Sequence, residues 1–112
     1  MAFQNITANV LIPATAVTSA FVTLYTTPTL TRTLLKSIDV CNTTSGALTI
    51  YISLVASAGT AGTTNALYSN FTIAAYTTLS WRGLQVLVAG TFISVKGSNT
   101  GLTITASGGE AT

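Results

Sequence analysis

The sequence predicts an all-β fold, a single antiparallel β-sandwich of jelly-roll or Ig-like kind with about eight or nine short strands; a barrel is the alternative. Three observations carry that expectation. Apolar and polar residues alternate with a period close to two along most of the chain, and no window shows the 3.6 spacing of a helix. Threonine supplies 23 and serine 10 of the 112 residues, while Glu, Lys, Gln and Arg, the polar helix formers, are nearly absent. Turn residues recur at short intervals, among them Pro13, Thr27-Pro28, Gly83, Ala89-Gly90 and Gly108-Gly109.

The expected strands follow from those breaks, at residues 4–12, 20–26, 32–41, 47–55, 66–73, 77–82, 84–88, 91–96 and 101–107. In the third, Ile38 and Val40 alternate with Ser37 and Asp39. In the fourth, Leu48, Ile50, Ile52 and Leu54 share one face and Thr49, Tyr51 and Ser53 the other, the pattern of a half-buried antiparallel strand. In the fifth, Leu67, Phe71 and Ile73 form the apolar side, with Ser69 as an exception among them. Leu79 and Trp81 point to the core in the sixth, which places the tryptophan in packing rather than on a binding surface. The last alternates Leu102, Ile104 and Ala106 with Thr103, Thr105 and Ser107. The Gly, Ala and Thr stretch over 57–64 reads as a mobile exposed loop. One domain over residues 1–112 is expected, with short N- and C-terminal arms.

Charge is scarce: DEKR residues make up 5% of the chain against roughly 25% in an ordinary soluble domain. Arg32, Lys36, Arg82 and Lys96 are scattered, whereas a nucleic-acid surface clusters its cations, so no nucleic-acid partner is expected. There is no histidine, the acids are Asp39 and Glu110 alone, and Cys41 is the single cysteine. General acid–base chemistry, an activated nucleophile and a metal centre each lack a part. The expectation is no enzyme, no catalytic residue, no cofactor and no metal. Asp39 is expected to pair with a nearby Lys or Arg, and Glu110 to lie in a loose tail. The longest apolar stretch, residues 84–90, falls far short of the roughly 18–20 residues of a membrane helix. With no Lys or Arg before Arg32 and Pro13 interrupting the early apolar run, Met1 reads as the mature start.

So little charge leaves little protection against self-association, and aromatic residues among small polar ones are the composition of subunit interfaces. Phe3, Ile6, Val10, Phe21, Tyr25, Tyr51, Tyr68 and Tyr76 are the candidate interface residues. The tyrosines and Trp81 also offer platforms to a glycan, a weaker reading than core or interface packing.

Stretches of the chain resemble small all-β virion structural proteins of tailed bacteriophages. They are the run Leu24-Tyr25-Thr26-Thr27-Pro28, the strand and turn over 34–45, the strand Leu48-Thr49-Ile50-Tyr51-Ile52, the loop over 59–65, the strand over 67–73 and the ending over 83–95. The turn at Thr29-Leu30-Thr31 departs from that pattern, which has Gly-Lys or similar there. The resemblance implies a head decoration or cement protein that stabilises the capsid. Its implied partners are further copies of itself, as a homotrimer, and the major capsid protein, with a location in the virion after synthesis in the bacterial cytoplasm. A tail-tip, adaptor or fibre module and a carbohydrate-binding module for host glycans are the alternatives. The terminal arms, residues 1–12 and 108–112, are the expected capsid contacts.

Overall fold

The computed structural model describes residues 5–112. Eight strands run in the order β1 (Ile6–Ala16), β2 (Val22–Thr26), β3 (Arg32–Asn42), β4 (Leu48–Val55), β5 (Ala66–Ile73), β6 (Thr78–Leu87), β7 (Phe92–Gly97) and β8 (Leu102–Ala111). Among the described residues the one helical segment is a single 3-10 turn at Thr63–Asn65. One sheet has the order β1-β8-β3-β6 and the other β2-β7-β4-β5, with every pairing antiparallel.

That order has a simple origin. β1 pairs with β8, β2 with β7, β3 with β6 and β4 with β5, so residues 6–55 and 66–111 form the two arms of one long antiparallel ribbon. Rolling the ribbon brings β3 against β8 and β4 against β7. This is the two-sheet jelly roll, and it decides between the two sandwich types the sequence allowed.

The core is aliphatic and lies where alternation put it. Ile38 and Val40 on β3, Ile50 and Ile52 on β4, Ile93 and Val95 on β7, and Leu102 and Ile104 on β8 are almost wholly buried. At about 25 cal/mol per Å² of apolar surface, each such side chain contributes roughly 1.5–3 kcal/mol of transfer free energy. Leu79 and Trp81 pack against this cluster opposite Val40 and Ile38, as expected.

Asn42 is the polar exception, fully buried at the end of β3. Its amide donates to the carbonyls of Gly46 (2.9 Å), Ile73 (3.0 Å) and Ala74 (3.3 Å), and its Oδ1 accepts from the Thr44 N–H (2.9 Å). It therefore ties β3 and its turn to the end of β5 in the opposite sheet.

Several expectations need correction. The segments expected at 77–82 and 84–88 are one strand, β6, because Gly83 sits at an irregularity opposite Lys36 rather than in a turn. The first strand runs through Pro13 to Ala16, since β1 is an edge strand and can lack a donor there. Phe71 stands 43% exposed on the edge strand β5 instead of filling the core.

The largest correction concerns the ends. Residues 108–111 are no arm: they complete β8, which lies between β1 and β3. Gly108 is needed because a Cβ there would fall 1.9 Å from the Leu34 carbonyl oxygen, so the glycine allows two backbones to approach closely. Residues 6–12 are likewise strand, and Asn5 exchanges backbone hydrogen bonds with Thr112 (3.3 and 2.9 Å).

Candidate functional site

The outward face of the β2-β7-β4-β5 sheet carries a concavity built by a bulge and a loop. In β5, Ser69 and Asn70 lie between the partners of Ile50 and Ile52, and Asn70 has φ 54°. An extra residue in one strand breaks the alternation and re-aims its neighbours. The broken period at Ser69 is this bulge seen in sequence. Asn70 Oδ1 accepts a hydrogen bond from the Tyr51 hydroxyl (2.9 Å).

The loop over 56–65 folds back onto the same face. The Ser53 hydroxyl donates to the Gly62 carbonyl (3.3 Å), the Gly62 N–H to Asn65 Oδ1 (3.0 Å), and the Asn65 amide to the Thr60 carbonyl (2.9 Å). Val55, Ser53 and Ser94 are therefore buried although they alternate away from the core. The loop is exposed over 56–60, as expected, and the Ser53–Gly62 hydrogen bond joins it to β4.

Between bulge and loop lies a cavity of about 190 Å³ lined chiefly by Phe21, Tyr51, Tyr68, Thr63, Ser69 and Lys96. Lys96 pairs across from Tyr51, and its Nζ stands 4.8 Å from the Tyr51 ring centroid and 5.4 Å from that of Phe21. Cation–π attraction holds the ammonium at the cavity wall. Phe21 and Tyr51 meet edge to face at 6.4 Å, and Tyr68 and Phe71 at 5.1 Å.

Of the candidate interface residues, Phe21, Tyr51 and Tyr68 thus come together here. Ile6 and Val10 lie on the other sheet, and Tyr76 stands 71% exposed in the β5–β6 turn with φ 56°. Phe3 lies outside the described residues. Tyr25 is a correction: it faces inward between the sheets, where its hydroxyl donates to Glu110 Oε2 (2.5 Å) and lies 2.7 Å from Thr33 Oγ1. Because the tyrosine proton goes to Glu110, Thr33 donates to the tyrosine oxygen. Burial, and next the Glu110 hydrogen bond, push the Tyr25 hydroxyl up to about 12. Glu110, also bonded by the Asn9 amide (2.8 Å), is a structural link rather than part of a tail.

A second surface was only partly anticipated, through Ile6 and Val10. On the outward face of the β1-β8-β3-β6 sheet, Ala8, Gly109, Leu34 and Val86 form one row across all four strands. Ile6, Val10, Leu84, Val86 and Val88 are each at least 50% exposed there or at its edge. The signal was the Leu84, Val86, Val88 alternation, but alternation does not say whether a face is covered.

The two acids are separated by the sheet. Asp39 faces outward and pairs with Arg82 (3.0 Å), as expected, and the Arg82 hydrogen bond holds its carboxyl below the usual range. Among the described residues no cluster of three or more metal-ligating side chains occurs. The sequence has no histidine and one cysteine, and among the described residues both acids are engaged elsewhere, so no acid–base pair or activated nucleophile is assembled there.

No family model and no curated relative matches the chain. Among solved structures, a chain from the structure of infectious bursal disease virus, Gx strain, matches at 13% identity and TM-score 0.54, over 96% of this chain and 32% of that one. The structure of the Gt strain matches at 14% identity and TM-score 0.43, over 96% and 30%. The VP2 subviral particle of the same virus matches at 12% and 0.47, over 96% and 31%. This chain thus spans about a third of the length of those it matches. The first match overturns the tailed-phage resemblance and the cement-protein assignment that came with it, and it lends no support to a decoration role or a bacterial host. The motifs that carried the resemblance are alternating strands and polar turns, which many jelly rolls share for the same packing reasons. What the match establishes for this chain is the jelly-roll fold.

Proposed function

We propose that this chain is a non-enzymatic structural domain of a virus particle, located in the virion, which works by packing against further copies of itself. The observation that carries the reading is the eight-stranded order β1-β8-β3-β6 with β2-β7-β4-β5, matched over 96% of the chain in a virus structure.

The exposed aliphatic face supports it. Five large aliphatic side chains at least half exposed on the two edge strands of one sheet and beside them amount to apolar surface on the order of 400 Å², comparable to the largest patch of a typical monomer. The centre of that face is small, with Gly109 and Ala111 on β8, and aliphatic rims stand on β1 and β6. A standard interface buries about 800 Å² per partner, so the contact would extend beyond the aliphatic rims over the rest of the sheet, where the Asp39–Arg82 pair also lies. A chain with 5% charged residues raises little repulsion against such packing.

Light scattering across a concentration series tests the reading, with Val10→Lys and Val86→Lys as variants. Association that grows with concentration and is lost in both variants is the expected result, with a homotrimer as the expected smallest species. A chain that stays monomeric up to about 1 mM, with or without the lysines, refutes it.

A further inference from the structure

We propose that the concavity beside Lys96 is a binding site for a single carboxylated sugar ring, of the sialic or uronic acid class. The argument begins with an unmatched charge. The chain has two acidic side chains, and both are engaged elsewhere: Asp39 with Arg82, and Glu110 with Asn9 and Tyr25. Lys96 meets two aromatic rings instead, which fix its position without neutralising it. An ammonium so held is prepared for an anionic ligand, since little freedom remains to be lost on binding.

The rest of the cavity sets the ligand's shape. A volume of about 190 Å³ admits one sugar ring and not an extended chain. Tyr68 presents an aromatic wall braced by Phe71, suited to the C–H face of a pyranose. Thr63 and Ser69 place hydroxyls on the lining, with no side-chain partner among the described residues, to meet sugar hydroxyls. Tyr51 is locked by its bond to Asn70, so the wall opposite is rigid as well. A planar carboxylate alone would need only the lysine. Aromatic walls and free hydroxyls around it select a polyhydroxylated ring.

The site is small and open, so binding in the low millimolar range is expected for one residue. The test is an amide-resonance titration of the full chain with three methyl glycosides: N-acetylneuraminic acid, glucuronic acid and uncharged glucose, each to about 20 mM. Sodium acetate serves as the control anion. At least one acidic glycoside should shift the amides of Tyr51, Tyr68 and Lys96 and bind about ten-fold or more tighter than glucoside or acetate. Which acid does so separates the two sugar classes. Lys96→Gln should weaken that binding about ten-fold while leaving the resonances of Ile52 and Ile93 in place. Three results overturn the proposal: no localised shift with either acid, equal binding by glucoside or acetate, or unchanged affinity in the Lys96→Gln variant. The comparison of ligands on the unaltered chain decides the matter even if that variant fails to fold. This inference is independent of self-association, which the resonance shifts do not measure.

Discussion

Replacing Asn42 with alanine removes a side chain that makes four hydrogen bonds to backbone groups at the junction of the two sheets. The cost depends on which partners are left without a substitute. The Gly46 carbonyl still accepts from the Thr44 hydroxyl (2.9 Å), and the Ala74 carbonyl from Thr77 through both its N–H (3.2 Å) and its hydroxyl (2.7 Å). The Thr44 N–H loses its acceptor and the Ile73 carbonyl its side-chain donor. An orphaned buried group costs about 1–3 kcal/mol and a replaceable bond about 0.5–1 kcal/mol. The expected loss is about 3 kcal/mol, or roughly 12 °C in Tm for a domain of this size. Equilibrium unfolding in urea measures it, with an unchanged m-value marking a loss of stability and not of compactness. Asn42→Leu fills the space without supplying bonds and should lose about as much. A loss under about 1 kcal/mol in the alanine variant, or full stability in the leucine variant, refutes the hydrogen-bond argument.

Three further expectations follow from single positions. Gly108→Ala drives a Cβ into the Leu34 carbonyl and should cost about 3 kcal/mol or more in thermal unfolding, whereas Gly46→Ala, with nothing within 4 Å, should be neutral or slightly stabilising. Thr27→Val removes a buried hydroxyl that lacks a hydrogen-bond partner and should raise stability by about 1 kcal/mol in the same assay. For Tyr25, a hydroxyl raised in the fold holds its proton more tightly than in the unfolded chain, so its contribution is complete below pH 10 and declines as pH rises from 10 to about 12. Tyr25→Phe should lower stability at neutral pH and flatten that alkaline decline in pH-dependent unfolding.

Much of the architecture was legible because alternation is local. Ile38 and Val40, Ile50 and Ile52, and Leu102, Ile104 and Ala106 each declare a buried face within one strand, and the structure buries all of them. The inward tryptophan and the Asp39 pairing were readable for the same reason, as immediate consequences of strand period and scarce charge. The candidate site was legible in part: Phe21, Tyr51 and Tyr68 stood out as aromatics, but Lys96 did not, because nothing local says which ring will face it across a strand pair.

The β class and most of the inward apolar residues follow from residue type and spacing alone, with Phe71 and Tyr25 as the exceptions. Tertiary structure decided which strands are neighbours. It placed Gly108-Gly109 at the centre of a sheet, where their composition resembled a loose tail, because closeness to Leu34 is a contact across more than seventy residues. It brought Tyr25 to Glu110 by the same rolling of the ribbon. It also left the aliphatic row at Val86 uncovered, since period two marks a strand's two faces but only packing assigns one of them to solvent.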